Sequence, residues 1–203
     1  MRRAFYRIES FSKLQDLAQQ WEVMSAECRA LDAPTLDIDR VGKSHDQVAA
    51  ETMAHVQAGG EYGWLQGWGA DGANPDWLQY ALVYRDQQVP FACQTMPTTM
   101  RLLAGVRGIK VCTLAKMKAH TFLTTHSHPE LRAEGLLQFH ITLEAATNAN
   151  YAYLNVAGEF RQNVLGSSVV FDGSLDHFAL NGSQVDRTIL YMEFQKDQLM
   201  VSA

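Results

Sequence analysis

From Trp77 onward the chain is cut into short runs of β-branched and aromatic residues separated by Gly, Asn and Asp. The runs are Tyr80–Tyr84, Lys110–Leu114, Ala119–Thr125, Leu136–Leu143, Tyr151–Val156, Glu159–Gln162, Ser167–Phe171, His177–Leu180 and Arg187–Phe194. Segments recurring every ~8–12 residues are too brief for helices and lack the helical stretches that alternate with strands in βαβ units. They predict an all-β sandwich, barrel or jelly roll. Only Pro97–Ala104 in this half reads as helical. The first part of the chain differs: Phe11, Leu14, Leu17, Ala18, Trp21 and Met24 recur at three- and four-residue steps, with Ser10 or Ser12 placed to cap the helix. Asp32–Pro34 breaks that pattern, and a second helix over roughly Ser44–Ala58 ends at Gly59-Gly60. The stretch from Gly60 to Pro75, rich in Gly, Asn, Asp and Trp, reads as a long loop. The expectation is a mainly β (α+β) chain forming a single domain over 1–203, with a helical lead-in over 1–60 and the β core over 61–203.

Composition narrows the function classes. Of 203 residues, 47% are apolar and 19% charged, which suits a buried core and not disorder. Seventeen basic side chains against 22 acidic ones leave a net charge of −5, which argues against a phosphate-backbone binder. No apolar run approaches the ~20 residues of a membrane-spanning helix, and the N-terminal segment lacks the apolar stretch of a secretory signal. Cys28, Cys93 and Cys112 are an odd number without CxxC spacing, so they make neither a disulfide framework nor a structural zinc site. Cys28 and Cys93 read as small buried hydrophobes. A cytoplasmic protein that engages neither nucleic acid nor membrane is expected.

Five of the seven histidines (120, 126, 128, 140 and 177) lie in the β-rich half. On a strand, residues two apart share a face, so His126 and His128 can reach one metal ion; the ordinary alternative is two solvent-facing histidines at a strand end. His128 and Glu130 have the same spacing and offer one nitrogen and one carboxylate oxygen. With a distant histidine they make the facial triad of non-haem Fe(II) oxygenases. His177 fits as that histidine, in a turn between two apolar strands. Arg187, at the start of the second of these, suits bidentate capture of an acid such as 2-oxoglutarate.

These residues bring out a resemblance to the aspartyl/asparaginyl β-hydroxylase family of Fe(II)/2-oxoglutarate oxygenases, spanning about Trp77 to Phe194. Phe171-Asp172-x-Ser174-x-x-His177-x-x-x-Asn181-x-Ser183-x-x-x-Arg187 resembles the family signature around its distal metal histidine and its 2-oxoglutarate arginine. Trp77-x-Gln79-Tyr80-x-Leu82 and Ala92-Cys93-x-x-x-Pro97-x-Thr99-x-x-Leu102-Leu103 resemble two upstream segments, and Gly158-Glu159 and Gly166 fall near its glycine turns. The resemblance implies a double-stranded β-helix (jelly roll) that binds Fe(II) and 2-oxoglutarate and hydroxylates a small molecule, amino acid or peptide. It implies that Arg187 grips the co-substrate and that Trp77 faces substrate.

The departures leave two registers open. The family's first metal histidine stands in H-x-D-P or H-x-G-P; here His126-Ser127-His128-Pro129 keeps the proline and makes His126, His128 and His177 the ligands. Sliding by two gives His128, Glu130 and His177, an orthodox triad that loses the proline match; the first register is the working expectation. The family's R-x-H pair on the next strand becomes Gln138-x-His140, so His140 carries over as a co-substrate contact, while a neutral amide at 138 implies a less anionic substrate or a different clamp on the co-substrate. Cys112 stands where the family often has Ser, and Lys116-Met117-Lys118 replaces a P-G turn. Two rivals remain: a cupin-type metalloenzyme using three histidines without 2-oxoglutarate, with Glu134 one residue out of place, and a non-catalytic jelly-roll binder. Trp64 and Trp68 read as packing, as does His120, while Asp172 reads as turn chemistry and Asp176 as a carboxylate behind the metal site. His45 and His55 carry no signal.

Overall fold

Period-two alternation becomes two facing sheets, antiparallel except for the parallel pairing of β2 with β3, in the computed structural model, which describes residues 3–68 and 72–200, with the side chain of Trp68 outside that description. The strands are β1 (Phe5–Tyr6), β2 (Thr35–Leu36), β3 (Trp64–Trp68), β4 (Ala73–Tyr84), β5 (Gln87–Gln88), β6 (Ile109–Met117) and β7 (Thr121–His126). They continue with β8 (Leu136–Glu144), β9 (Ala152–Val156), β10 (Glu159–Gln162), β11 (Ser168–Phe171), β12 (His177–Asn181) and β13 (Arg187–Gln195). The larger sheet runs β1-β11-β8-β13-β6-β4-β3-β2, with β5 on β4, and the smaller runs β10-β9-β12-β7. From β6 to β13 the chain therefore passes back and forth between the sheets and returns to the centre of the larger one. This is the double-stranded β-helix, or jelly roll, expected from the sequence, with strand boundaries within a few residues of the predicted runs except at β4, which begins at Ala73 and not Tyr80.

The helices are α1 (Ser12–Ala18), α2 (Trp21–Ala30), α3 (His45–Gln57), α4 (Pro90–Thr95), α5 (Pro97–Ala104), α6 (Pro129–Ala133) and α7 (Lys196–Leu199). Several expectations need correction. The first helix is two, broken at Gln19-Gln20, and neither has a side-chain cap; Phe11, not a serine, occupies the N-cap position of α1. The supposed loop after Gly60 contains β3, whose Leu65 is buried with Leu36 and Val48, so this part of the loop is held by core packing. Residues 69–71 of that loop lie outside the described residues. The β-rich half contains α4, α6 and α7 besides α5, because prolines at 90 and 129 start short helices that carry no full amphipathic period. Helix α3 does match its prediction: Ser44 and Gln47 form a reciprocal capping box.

The larger sheet is covered on both faces. Leu137, Phe139, Ile141 and Leu143 of β8, with Leu190, Met192 and Phe194 of β13, join Phe11, Leu14, Met24 and Leu103 of the helical layer in one apolar cluster. The alternate residues, including Gln138, His140, Arg187 and Tyr191, face a cavity between the sheets. A strand read as apolar-in, polar-out is here apolar towards helices and polar towards the cavity.

The helical layer is fastened by the Glu27 carboxylate, which accepts hydrogen bonds from Thr98 N (2.8 Å), Thr99 N (2.8 Å) and Thr99 Oγ1 (2.7 Å) at the start of α5. Burial pulls the Glu27 pKa upward, but the bonds from Thr99 and Thr98 outweigh it and hold the carboxyl below its ordinary value. Glu27→Ala is expected to lower stability by about 1 kcal/mol at neutral pH, the usual value of a lost helix cap, read from the midpoint of urea unfolding. A folded pKa below the unfolded one places this stabilisation in full above the ordinary carboxylate range. It is lost as pH falls through that range to the depressed value, so the two proteins converge in acid.

Candidate functional site

Strands β7 and β12 pair so that His126 sits directly across from His177. The chain then leaves β7, and His128 N donates to Gly173 O at 2.9 Å, tying the end of that strand to the turn before β12. The imidazoles of His126, His128 and His177 thereby converge, each offering a nitrogen within 4.8 Å of the others. Each also has its Nδ1 engaged: His126 with Thr124 O (2.7 Å), His177 with Leu175 O (2.8 Å) and His128 with Glu130 Oε1 (3.1 Å). A carbonyl or carboxylate oxygen can only accept, so Nδ1 is the donor in all three, and a neutral ring so held keeps its lone pair on Nε2. Burial pushes the His177 pKa down to about 4 and lowers that of His126, in both cases against the hydrogen bond at Nδ1. These two rings are neutral at pH 7, the form that ligates a metal.

Local turn chemistry sets this up. Asp172 Oδ1 accepts from Ser174 N at 3.0 Å and Ser174 Oγ at 2.5 Å, and Leu175 N closes the turn onto Asp172 O at 3.2 Å. The turn aims the Leu175 carbonyl at the His177 ring. Asp172 thus has the turn role expected of it, whereas the carboxylate of Asp176 makes no hydrogen bond to a described residue and does not back the histidines. Glu130 stands behind His128 and outside the convergent trio, and Glu134 is paired with Lys110 at 2.7 Å, away from it.

Across the cavity, Arg187 is 2% exposed and its only polar contact among the described residues is from Nη2 to Met117 Sδ at 3.5 Å. Its Nε has no hydrogen-bond partner among the described residues. Burial lowers its pKa to about 10, which leaves it cationic at neutral pH. Asn181 and Ser183 of the signature are structural. Asn181 Nδ2 donates to Met117 O, Lys118 O and Val185 O, and Ser183 Oγ accepts from Tyr151 N, which pins the turn that launches β13 and Arg187. His140 is buried nearby, 4.8 Å from the Phe171 ring, with Nε2 unpartnered; burial first, then the charge of Arg187, holds its pKa well below the ordinary value.

The cavity measures about 950 Å3, towards the upper end for a small-molecule site. Trp77 and Gln138 are among its lining residues, Trp77 packing over Gly67, where a Cβ would come within 2.4 Å of the indole. Sequence reasoning missed Tyr191, Glu193, Thr113 and Asn163, which also line it. The available signal was the phase of β13: positions 187, 191 and 193 share a face with Arg187. Three minor readings are corrected. His120 is exposed in a turn at φ +58° and bonds Gln184 instead of packing on a strand. Cys93 is only half-buried, and β6 runs straight through the Lys116-Met117 positions where a turn had been displaced. Trp64 is buried beside Tyr80, as read.

An uncompensated buried charge costs stability, so Arg187→Met is expected to stabilise the ligand-free protein by about 1–4 kcal/mol. Thermal unfolding of both proteins without added ligands checks this, and a less stable variant would show that the guanidinium has a partner in the folded state.

The sequence profile of the family described as Aspartyl/Asparaginyl beta-hydroxylase matches residues 18–197. Among solved structures, an oxidoreductase of the 2OG-Fe(II) oxygenase family from Burkholderia pseudomallei is 14% identical over 91% of this chain and 94% of its own, with a TM-score of 0.49. A predicted oxalate decarboxylase from Thermotoga maritima is 12% identical over 60% of this chain and 83% of its own, with a TM-score of 0.40. KdgF from Halomonas is 14% identical over 63% and 86%, with a TM-score of 0.38. No curated protein matches the chain. With the profile aligned from the first helix to the last, the chain belongs to the aspartyl/asparaginyl β-hydroxylase family.

Proposed function

We propose that this protein is an Fe(II)- and 2-oxoglutarate-dependent dioxygenase that hydroxylates an unactivated C–H bond of a small molecule or of an amino-acid or peptide-type substrate. The observation that carries the reading is one cavity holding three histidines with open Nε2 positions and a buried guanidinium with no anion of its own. The residues fit both groups. Three nitrogen donors suit Fe(II), and His126, His128 and His177 would hold it, with Glu130 fixing the His128 ring. A dicarboxylate supplies the counter-charge that Arg187 lacks, and a guanidinium receives a carboxylate through two parallel hydrogen bonds. His140, neutral beside it, would give a further hydrogen bond from its unpartnered Nε2 side.

When bound, iron and 2-oxoglutarate supply the oxidising power to convert C–H to C–OH with dioxygen, releasing succinate and carbon dioxide. The chain's own part is placement. Arg187 orients the co-substrate, while Leu154, Phe171 and Ala179 around the histidines present apolar surface and keep water away. Gln138 and Trp77 would face the substrate. Among the described residues no helix is long and apolar enough to cross a membrane, and the reading carries with it the cytoplasmic location expected from the sequence.

Two sets of variants test this. Under anaerobic conditions, Fe(II) with 2-oxoglutarate is expected to give a visible metal-to-ligand charge-transfer band. His177→Ala and His126→Ala should abolish iron binding in a folded protein, whereas Glu130→Ala should weaken it by about 10- to 100-fold, as for loss of a residue that orients a ligand. The reverse ranking of His126 and Glu130 would establish the triad of His128, Glu130 and His177.

For the co-substrate, Arg187→Ala is expected to weaken 2-oxoglutarate binding by about 30- to 1,000-fold while iron affinity alone barely moves. Arg187→Lys should recover part of the loss, since it keeps the charge without the fork. Equal 2-oxoglutarate binding by wild type and Arg187→Ala, measured by calorimetry, would favour a cupin-type or non-catalytic site instead.

A further inference from the structure

The cavity has a second charged end. Strand β13 carries Arg187 at its start and Glu193 six residues later on the same face, a separation of about 20 Å at strand rise. Glu193 is 7% exposed and lines the cavity. Its Oε1 accepts a hydrogen bond from Tyr191 Oη at 2.5 Å, and Tyr191 Oη accepts in turn from Gln138 Nε2 at 2.6 Å. This order is the one the chemistry permits. A carboxylate cannot donate, so the phenol must, and the amide must then turn its NH2 to the phenol. Gln138 presents its carbonyl side elsewhere, and Oε1 is left without a partner against Gly173, where a Cβ would lie 2.3 Å from it. Burial, then the Glu193 charge, holds the Tyr191 pKa well above the ordinary value, so the phenol keeps its proton.

The relay uses one carboxylate oxygen and leaves Oε2 open to the cavity. Among the described residues Glu193 makes no ion pair. The cations lining this end are engaged elsewhere: Lys110 with Glu134 at 2.7 Å and Arg85 with Asp46 at 3.2 Å. Arg40 Nη1 donates to Gln66 O and Gln79 Oε1. His45 also lines this end; burial lowers its pKa and outweighs the nearby Glu193 charge, which raises it, so the ring is neutral at pH 7. A buried carboxylate with one hydrogen bond and no counter-ion, facing a cavity, is the mirror image of Arg187.

We propose that Glu193 receives a positively charged nitrogen of the substrate, an ammonium or guanidinium, at the end of the cavity opposite Arg187. As an account of substrate choice it rests on the oxygenase reading above; as a cation site it stands on this wall alone. A charged N–H donor at Oε2 makes a charge-assisted bond to an already desolvated partner, and a neutral hydroxyl at the same place leaves the carboxylate uncompensated. Tyr191 and Gln138 are positioning residues: the phenol proton and one amide proton are committed to the relay that holds the carboxylate. The neutral amide at 138 on the strand opposite Glu193 agrees with a substrate that brings positive charge to this end.

The test is calorimetric titration of the full chain, with and without Zn(II) and 2-oxoglutarate, using four-carbon probes that differ only in the head group: n-butylamine, n-butylguanidine, n-butanol and butyrate. The amine and the guanidine are expected to bind, with the alcohol and the acid weaker by about tenfold or more. Glu193→Gln, which keeps the shape and a partner for Tyr191, should weaken amine binding by about 10- to 100-fold and leave 2-oxoglutarate binding unchanged. Glu193→Asp should retain part of the amine affinity, and circular dichroism establishes that both variants fold. Equal binding of amine and alcohol, an unchanged amine affinity in Glu193→Gln, or no amine binding in the millimolar range would overturn the proposal. Amine binding that depends on Glu193 in a protein that fails to bind 2-oxoglutarate would instead overturn the oxygenase reading and leave the cation site standing.

Discussion

The wall that the larger sheet presents to the cavity is fixed by the pairing of β13 with β6 on one side and β8 on the other. The register sends Leu190, Met192 and Phe194 to the helical layer and Arg187, Tyr191 and Glu193 inward. A slip of one residue would exchange these sets and drive a guanidinium and a carboxylate among Phe11, Met24 and Leu103. Burial of each large apolar side chain contributes about 1.5–3 kcal/mol. Three of them on one strand together outweigh the roughly 3–5 kcal/mol associated with an uncompensated buried charge. The helical layer thus makes it possible to keep an unpaired arginine facing inward.

The jelly roll was legible because its strands are short, separated by turn residues and strongly alternating, so the runs from Leu136 to Phe194 mark their own boundaries. What escaped was set by contacts distant in sequence. Strand β3 has too many Trp, Gln and Gly residues to look like a strand, and it forms because Leu65 joins Leu36 and Val48. Strands β1 and β2 are two residues long and exist only as pairings to β11 and β3. No local pattern encodes an edge of that length.

At the site, the histidines and Arg187 could be read from spacing and resemblance, since both are properties of short segments. Alternation misled elsewhere. Polar residues at period two ordinarily face water, and nothing in the residues of β8 or β13 says that both faces are covered. Tyr191 and Glu193 were therefore passed over although they share the phase of Arg187. Glu130 is a case where spacing alone did not show the contact: its Oε1 meets Nδ1 of His128 at 3.1 Å.

The three imidazoles are anchored by two kinds of tether, and the difference bears on how such a centre can change over evolutionary time. His126 and His177 are oriented by carbonyls two residues before them, Thr124 O and Leu175 O. Any amino acid at 124 or 175 supplies that oxygen, so mutation there leaves the ring orientation intact. His128 is oriented by a side chain, Glu130, and one codon change removes the tether. The orientation of two rings is thus indifferent to the side chains at 124 and 175, while that of the third depends on the side chain at 130.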